Sequence, residues 1–139
     1  MQVSASIENA FERHSVSLAT AGAGREVTIA PRAGGFGSSA NGGELLCLAL
    51  ATCYCNDVYR EADRRGIAVV RVVVEAQAEF GGEGEAARKL HYRADVVAKA
   101  DEPAIRELML HVDRVAEIQN TLRQGMQVAF EPGSVERAP

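Results

Sequence analysis

Asn41-Gly-Gly-Glu-Leu-Leu-Cys-Leu-Ala-Leu-Ala-Thr-Cys-Tyr-Cys55 is the stretch that decides how this chain folds. Asn41 and Glu44 have the spacing of a capping box, in which Asn41 accepts from the third helical amide and Glu44 reaches back to the Asn41 amide. From Leu45 to Cys55 nearly every residue is apolar or small, which predicts a helix buried all round in its first half. From Asn56 to Arg65 the helix turns polar, and Gly66 behind Arg64-Arg65 is its stop, with cations in the last turn. Such a helix is central, and something must cover its first half on every side.

The same stretch holds all three cysteines of the chain, Cys47, Cys53 and Cys55. On a continuous helix Cys53 and Cys55 differ by about 200° in direction, and Cys47 and Cys53 point apart with about 9 Å between them along the axis. A disulfide needs Cβ atoms roughly 3.5–4.5 Å apart, so no pair closes while the helix is intact. Redox work would run through one thiol and an outside partner. An odd cysteine count, with no basic and apolar leader at Met1-Gln-Val-Ser-Ala-Ser, points to a reducing cytoplasm. His14, His91 and His111 show no ligand spacing with the diverging thiols, so neither a metal nor another cofactor is expected. Gly34-Gly-Phe-Gly37 lacks the Gly-Lys-Ser/Thr ending of a phosphate loop and reads as a flexible loop.

Working outward, Val3, Ala5 and Ile7, then Val16 and Leu18, predict two strands around a turn at Phe11-Glu-Arg-His14. Ala21–Gly24 is a second turn, Arg25–Ala30 a short strand, and the Gly- and Ser-rich Pro31–Gly43 a loop. Beyond the helix, Val70, Val72, Val74, Ala76, Ala78 and Phe80 alternate with polar residues as an inward face. After the turn Gly81–Glu85 the return strand puts Leu90, Tyr92, Ala94, Val96 and Ala98 on one side. Asp101-Glu-Pro103 opens a second helix with the stripe Ile105, Leu108, Met109, Val112, Val115 and Ala116. Gly125 closes a turn, and Met126–Phe130 is a last short strand. The order β-β-β-α-β-β-α-β makes this an α/β (α+β) chain, expected as one domain over residues 1–130 with a frayed tail at 131–139.

Composition excludes several classes. The net charge is −4, only 5% of residues are aromatic and there is no basic run, which argues against nucleic acid and anionic membrane. No segment reaches the roughly 18 apolar residues of a spanning helix.

The helix motif resembles the N-P-x-E-L-L-x-x-A-L-A-x-C helix of the OsmC/Ohr family of thiol-dependent hydroperoxide reductases, whose last Cys is the reactive one. Val115-Ala-Glu-Ile-Gln-Asn-Thr-Leu-Arg-Gln-Gly125 is similar to that family's C-P-x-S-x-T-L-x-x-G. The resemblance spans nearly all of residues 1–130 and implies an intertwined homodimer, with two central helices inside wrapping sheets and active sites at the interface. That would cover the apolar Leu45–Cys55 segment. It also implies Cys53 as the peroxidatic thiol, Arg13 as the cation that lowers its pKa and orients the peroxide, and Glu44 as the holder of that arginine. Arg25 and Arg32 are the weaker alternatives to Arg13.

Two departures stand out: the family's second cysteine falls at Ala116 and its proline at Glu117, and Gly42 or Gly43 replaces the proline before the helix. Turnover would then need an external thiol reductant. Each residue also has a plain reading: Cys53 as an inert core cysteine, Arg13 as a solvated turn residue, Glu44 as a cap. Cys47 reads as core, and Cys55 as core or dimer contact. The alternative function keeps the fold without peroxidase activity and binds a small hydrophobic ligand at the dimer interface.

Overall fold

The computed structural model describes residues Met1–Pro139. The chain forms two compact units, Met1–Leu48 and Ala49–Pro139. No helix is long and apolar enough to cross a membrane.

The first unit is an antiparallel meander, β1 (Val3–Ala10), β2 (Arg13–Thr20) and β3 (Ala23–Val27), in the order β1-β2-β3. Phe11-Glu12 is a two-residue turn with Glu12 at φ 54°, so Arg13 is not in the turn but opens β2 opposite Ala10. Ala21-Gly22 is a second two-residue turn, with both residues at positive φ, which suits the twist of a tight hairpin. It draws β3 two residues ahead of the expected Arg25 start. Pro31–Ser38 closes only an isolated bridge, and the stretch is loop as read from sequence. Val3 and Ile7 stand exposed, and Val16 is the one buried hydrophobic residue of these three strands.

The helix α1 (Gly42–Arg64) begins on the expected box: the Glu44 amide donates to Asn41 Oδ1 at 2.9 Å, and the Asn41 amide donates to a Glu44 carboxylate oxygen at 2.8 Å. Gly66 at φ 65° ends it as a left-handed stop. Its burial is the reverse of the expectation. Leu50, Tyr54, Asp57, Val58, Glu61 and Ala62 are buried, whereas Leu48 in the apolar half is 59% exposed. In the apolar half only Leu50 and Tyr54 are buried, and the rest is half-buried or exposed.

The second unit contains β4 (Ala68–Phe80) and β5 (Ala87–Lys99), a long antiparallel hairpin, then α2 (Glu102–Val115) and α3 (Glu117–Gln124). Tyr54, Val58 and Ala62 of α1 and Leu108 and Val112 of α2 form its core, packed against Val69, Val72, Val74, Tyr92, Ala94 and Val96 of the hairpin. β5 faces inward as predicted. In β4 a register shift between Val69 and Arg71 turns Val69 to the core and leaves Val70 60% exposed, and Phe80, beside a second shift, is also exposed. Asp101 caps α2 through the Ala104 amide.

Two further expectations are corrected at the C-terminal end. Residues 117–124 are helix rather than turn, closed by Gly125 at φ 68°. Met126–Phe130 is not a strand: it finds no edge to pair with in its own chain, and Met126, Val128 and Phe130 are exposed. The observed order is therefore β-β-β-α-β-β-α-α.

Candidate functional site

Cys53 sits three residues beyond Leu50 on α1, at the point where α3 begins alongside it. Two side-chain contacts tie the helices together here. Gln119 of α3 donates to the Leu50 carbonyl at 3.1 Å, and the Cys53 thiol meets Glu117 at 3.9 Å. Asp57, one turn further along α1, approaches the same sulfur at 3.9 Å. The three donor atoms, Cys53 Sγ and one oxygen each from Asp57 and Glu117, lie within 4.8 Å of one another. These are the donors a cation would meet. They are a thiol and carboxylates, not the thiols and histidines whose spacing was considered above.

Arg60 completes the cluster. Its guanidinium lies 2.7 Å from the second Asp57 oxygen and 3.9 Å from Glu117. Its charge therefore reaches the carboxylates first and the sulfur only behind them. Burial pushes the Cys53 thiol up, Asp57 and Glu117 push it further, and the Ile118 and Glu117 amides oppose them only in part. Burial also raises the Asp57 carboxyl; Arg60 pulls against this, and neighbouring Glu117 adds to the rise. Within one chain these groups thus work, on balance, against ionisation of the thiol. The sulfur itself is only half-buried, and all three cysteines are free.

The second charged cluster of the unit is structural. Glu61 is 4% exposed, yet it is met by Arg60, Arg64, Arg65 and His111 at 2.7–3.3 Å. Burial works against its ionisation, but the bonds from Arg60, His111 and Arg65 outweigh it and hold the carboxyl at about 2. His111, one of the three histidines without ligand spacing to the thiols, is partly exposed and bonds this carboxylate. Close by in sequence, the Tyr92 hydroxyl donates to Asp113, which Arg123 also grips at 2.7 Å.

Residues 35–131 match the family described as OsmC-like protein. The chain belongs to that family. Among curated proteins no sequence matches it. Solved structures with the same fold include an OsmC-like protein from Mycoplasma pneumoniae, 18% identical, with a TM-score of 0.60 over 89% of this chain and 86% of that one. An OsmC-like hydroperoxide resistance protein from Jannaschia sp. CCS1 is 12% identical, with a TM-score of 0.58 over 97% and 93% of the two chains. A protein from Legionella pneumophila described as organic hydroperoxide resistance protein OsmC is 19% identical, with a TM-score of 0.57 over 88% and 90%.

In this OsmC-like chain, the position aligned with the second cysteine, Ala116, is fully buried at the α2–α3 junction. Glu117 directly after it, at the motif's proline position, reaches Cys53, so the second motif brings a carboxylate to the first. Of the other site residues, Arg13 begins β2 in the first unit, where Asn9 donates to its carbonyl at 3.0 Å. Glu44 is engaged in the α1 cap. Cys47 and Cys55 are half-buried rather than core, and Cys55 shares a shallow hollow with Ala51, Thr52, Asn56 and Val74. Sequence reasoning missed Asp57, Arg60 and Glu117. The first two were readable as the i+4 neighbour of Cys53 and the i+3 neighbour of Asp57 on one helix face. Glu117 was not, because 64 residues separate it from Cys53.

Proposed function

We propose that this OsmC-like protein is a thiol-dependent hydroperoxide reductase acting through Cys53 as a homodimer. The observation that carries the reading is the state of one sulfur. Cys53, at the family's reactive position, is half-exposed and set among charged groups at a helix junction rather than sealed in hydrocarbon. Two structural relatives named for hydroperoxide resistance support it. Sulfur attacks the terminal peroxide oxygen, the O–O bond breaks, and the products are an alcohol and a Cys53 sulfenic acid. With Ala116 in place of a resolving thiol, an external thiol must reduce that sulfenate, giving water and a mixed disulfide that a second thiol cleaves.

In this reading a second copy covers the exposed apolar half of α1, and Arg13 supplies a guanidinium beyond the one that Asp57 and Glu117 already occupy. Glu44 would exchange its cap bonds for a bidentate grip on that arginine. Peptide mass analysis after tert-butyl hydroperoxide tests the reading. One added oxygen on the Cys53 peptide is expected, unchanged in Cys47→Ser and Cys55→Ser, and its absence ends the proposal. The alternative, an OsmC-fold protein that binds a small hydrophobic ligand without peroxidase activity, draws on Ala116 and the raised thiol. Equal peroxide consumption by wild type and Cys53→Ser would select it.

A further inference from the structure

A thiol must lose its proton to attack, and the alkoxide that leaves a peroxide must gain one. The structure places a single group suited to both tasks. Glu117 and Asp57 each stand 3.9 Å from Cys53 Sγ, but they differ in freedom. Asp57 is 3% exposed and fastened to Arg60 at 2.7 Å. The Glu117 side chain is 69% exposed, and its one ion pair, with Arg60, spans 3.9 Å. It can therefore exchange protons with water and swing from the sulfur toward a bound oxygen. The charged groups facing the sulfur are Asp57 and, behind it, Arg60 from α1, and Glu117 from α3; the Ile118 and Glu117 amides are the remaining polar groups. Glu117 also stands where the family motif has proline.

We propose that Glu117 is a catalytic residue that carries the Cys53 proton to the leaving oxygen of the peroxide. The proposal rests on the hydroperoxide reductase reading above. The thiol proton passes to a Glu117 oxygen as sulfur forms its bond to the terminal peroxide oxygen. The O–O bond breaks, sulfur is oxidised by two electrons, and the alkoxide takes the proton from Glu117. The sum is thiol plus hydroperoxide giving sulfenic acid plus alcohol, with no free hydroxide or alkoxide released. General acid–base assistance of this kind is worth about a hundredfold or more.

The test is the pH profile of Cys53 oxidation in single turnover with tert-butyl hydroperoxide, the sulfenate being trapped with dimedone and located by peptide mass. In wild type, with Glu117 carrying the proton from sulfur to the leaving oxygen, the rate should change little from about pH 6 to 8. Glu117→Gln should lose about a hundredfold at pH 6 and climb about tenfold per pH unit, as a reaction of free thiolate does, with Glu117→Asp between the two. Iodoacetamide expels iodide, which needs no proton from Glu117, so its alkylation of Cys53 should fall far less in Glu117→Gln than peroxide oxidation does, and a thermal melt like that of wild type shows that the variant is folded. Equal or faster peroxide oxidation in Glu117→Gln at pH 6, with an unchanged slope, overturns the relay and leaves the peroxidase reading standing. If neither protein forms a sulfenate at any pH, while iodoacetamide still reaches Cys53, both readings fall.

Discussion

The two halves of α1 share one helix and opposite fates. Its first half, Leu45–Cys55, is the more apolar, yet Leu48 is exposed and few of its residues are buried. Its second half is richer in charge, yet Asp57, Val58, Glu61 and Ala62 are buried. The two compact units of the chain differ in burial as well. Ala49–Pro139 closes a core around Leu108, Val58 and Val112, whereas β1–β3 leave Val3 and Ile7 in water. Burial follows the partners that the chain supplies, and composition alone does not reveal them. In the proposed homodimer, a second copy would cover the apolar faces that α1 and the β-meander leave open.

That contrast can be attacked from its stronger side first. Leu108→Ala, in the core of the second unit, should cost about 2–5 kcal/mol in urea unfolding, while Ile7→Ala in dilute solution should stay within about 0.5 kcal/mol. A similar loss for both would mean that the meander owns a core of its own. Next in size is Leu48→Asp. If a second copy covers the first half of α1, sedimentation equilibrium should show wild type as a dimer and this variant at least about thirtyfold weaker in association, the cost of a hot-spot residue. A monomeric wild type would break the comparison outright.

Acid should find the second half of α1 before it disturbs the first. The Glu61 carboxyl, at about 2, titrates in the folded chain well below the roughly 4.3 of an unfolded glutamate. Between those values the unfolded chain binds the extra proton, so the stability that Glu61 contributes is complete above about pH 4.5 and is lost as the pH falls toward 2. Urea midpoints of Glu61→Gln measured from pH 5 to 3 should fall less steeply than those of wild type. The smallest effect belongs to the helix start. Asn41→Ala removes the acceptor of the Glu44 amide and should cost about 1 kcal/mol of thermal stability, and a much larger loss would show that the cap organises more than its own turn.

The elements legible in the sequence were those whose signals are local. The Asn41–Glu44 box, the Gly66 stop, the Asp101 cap, the β5 alternation and the α2 stripe all work within a few residues. β4 misled at Val70 because Val69, Val70, Val72, Val73 and Val74 give the pattern no unique phase, and the register shift decides it. α3 was hidden because Ile118 and Leu122 make too short a stripe to show helical period. It is tied instead by Gln119 to Leu50 and by Arg123 to Asp113. At the site, Cys53 stood out by its motif and by its place in α1, but its neighbours did not.

Read alone, the chain determined most of its elements, several helix ends and which thiol the family motif marks, because hydrogen-bond caps, alternation and side-chain period act over one or two turns. Only the tertiary structure decided which half of α1 is covered and that two carboxylates stand against Cys53. Both depend on residues dozens of positions apart meeting across packed helices. The charge around a sulfur is a property of that meeting, not of the motif that marks it.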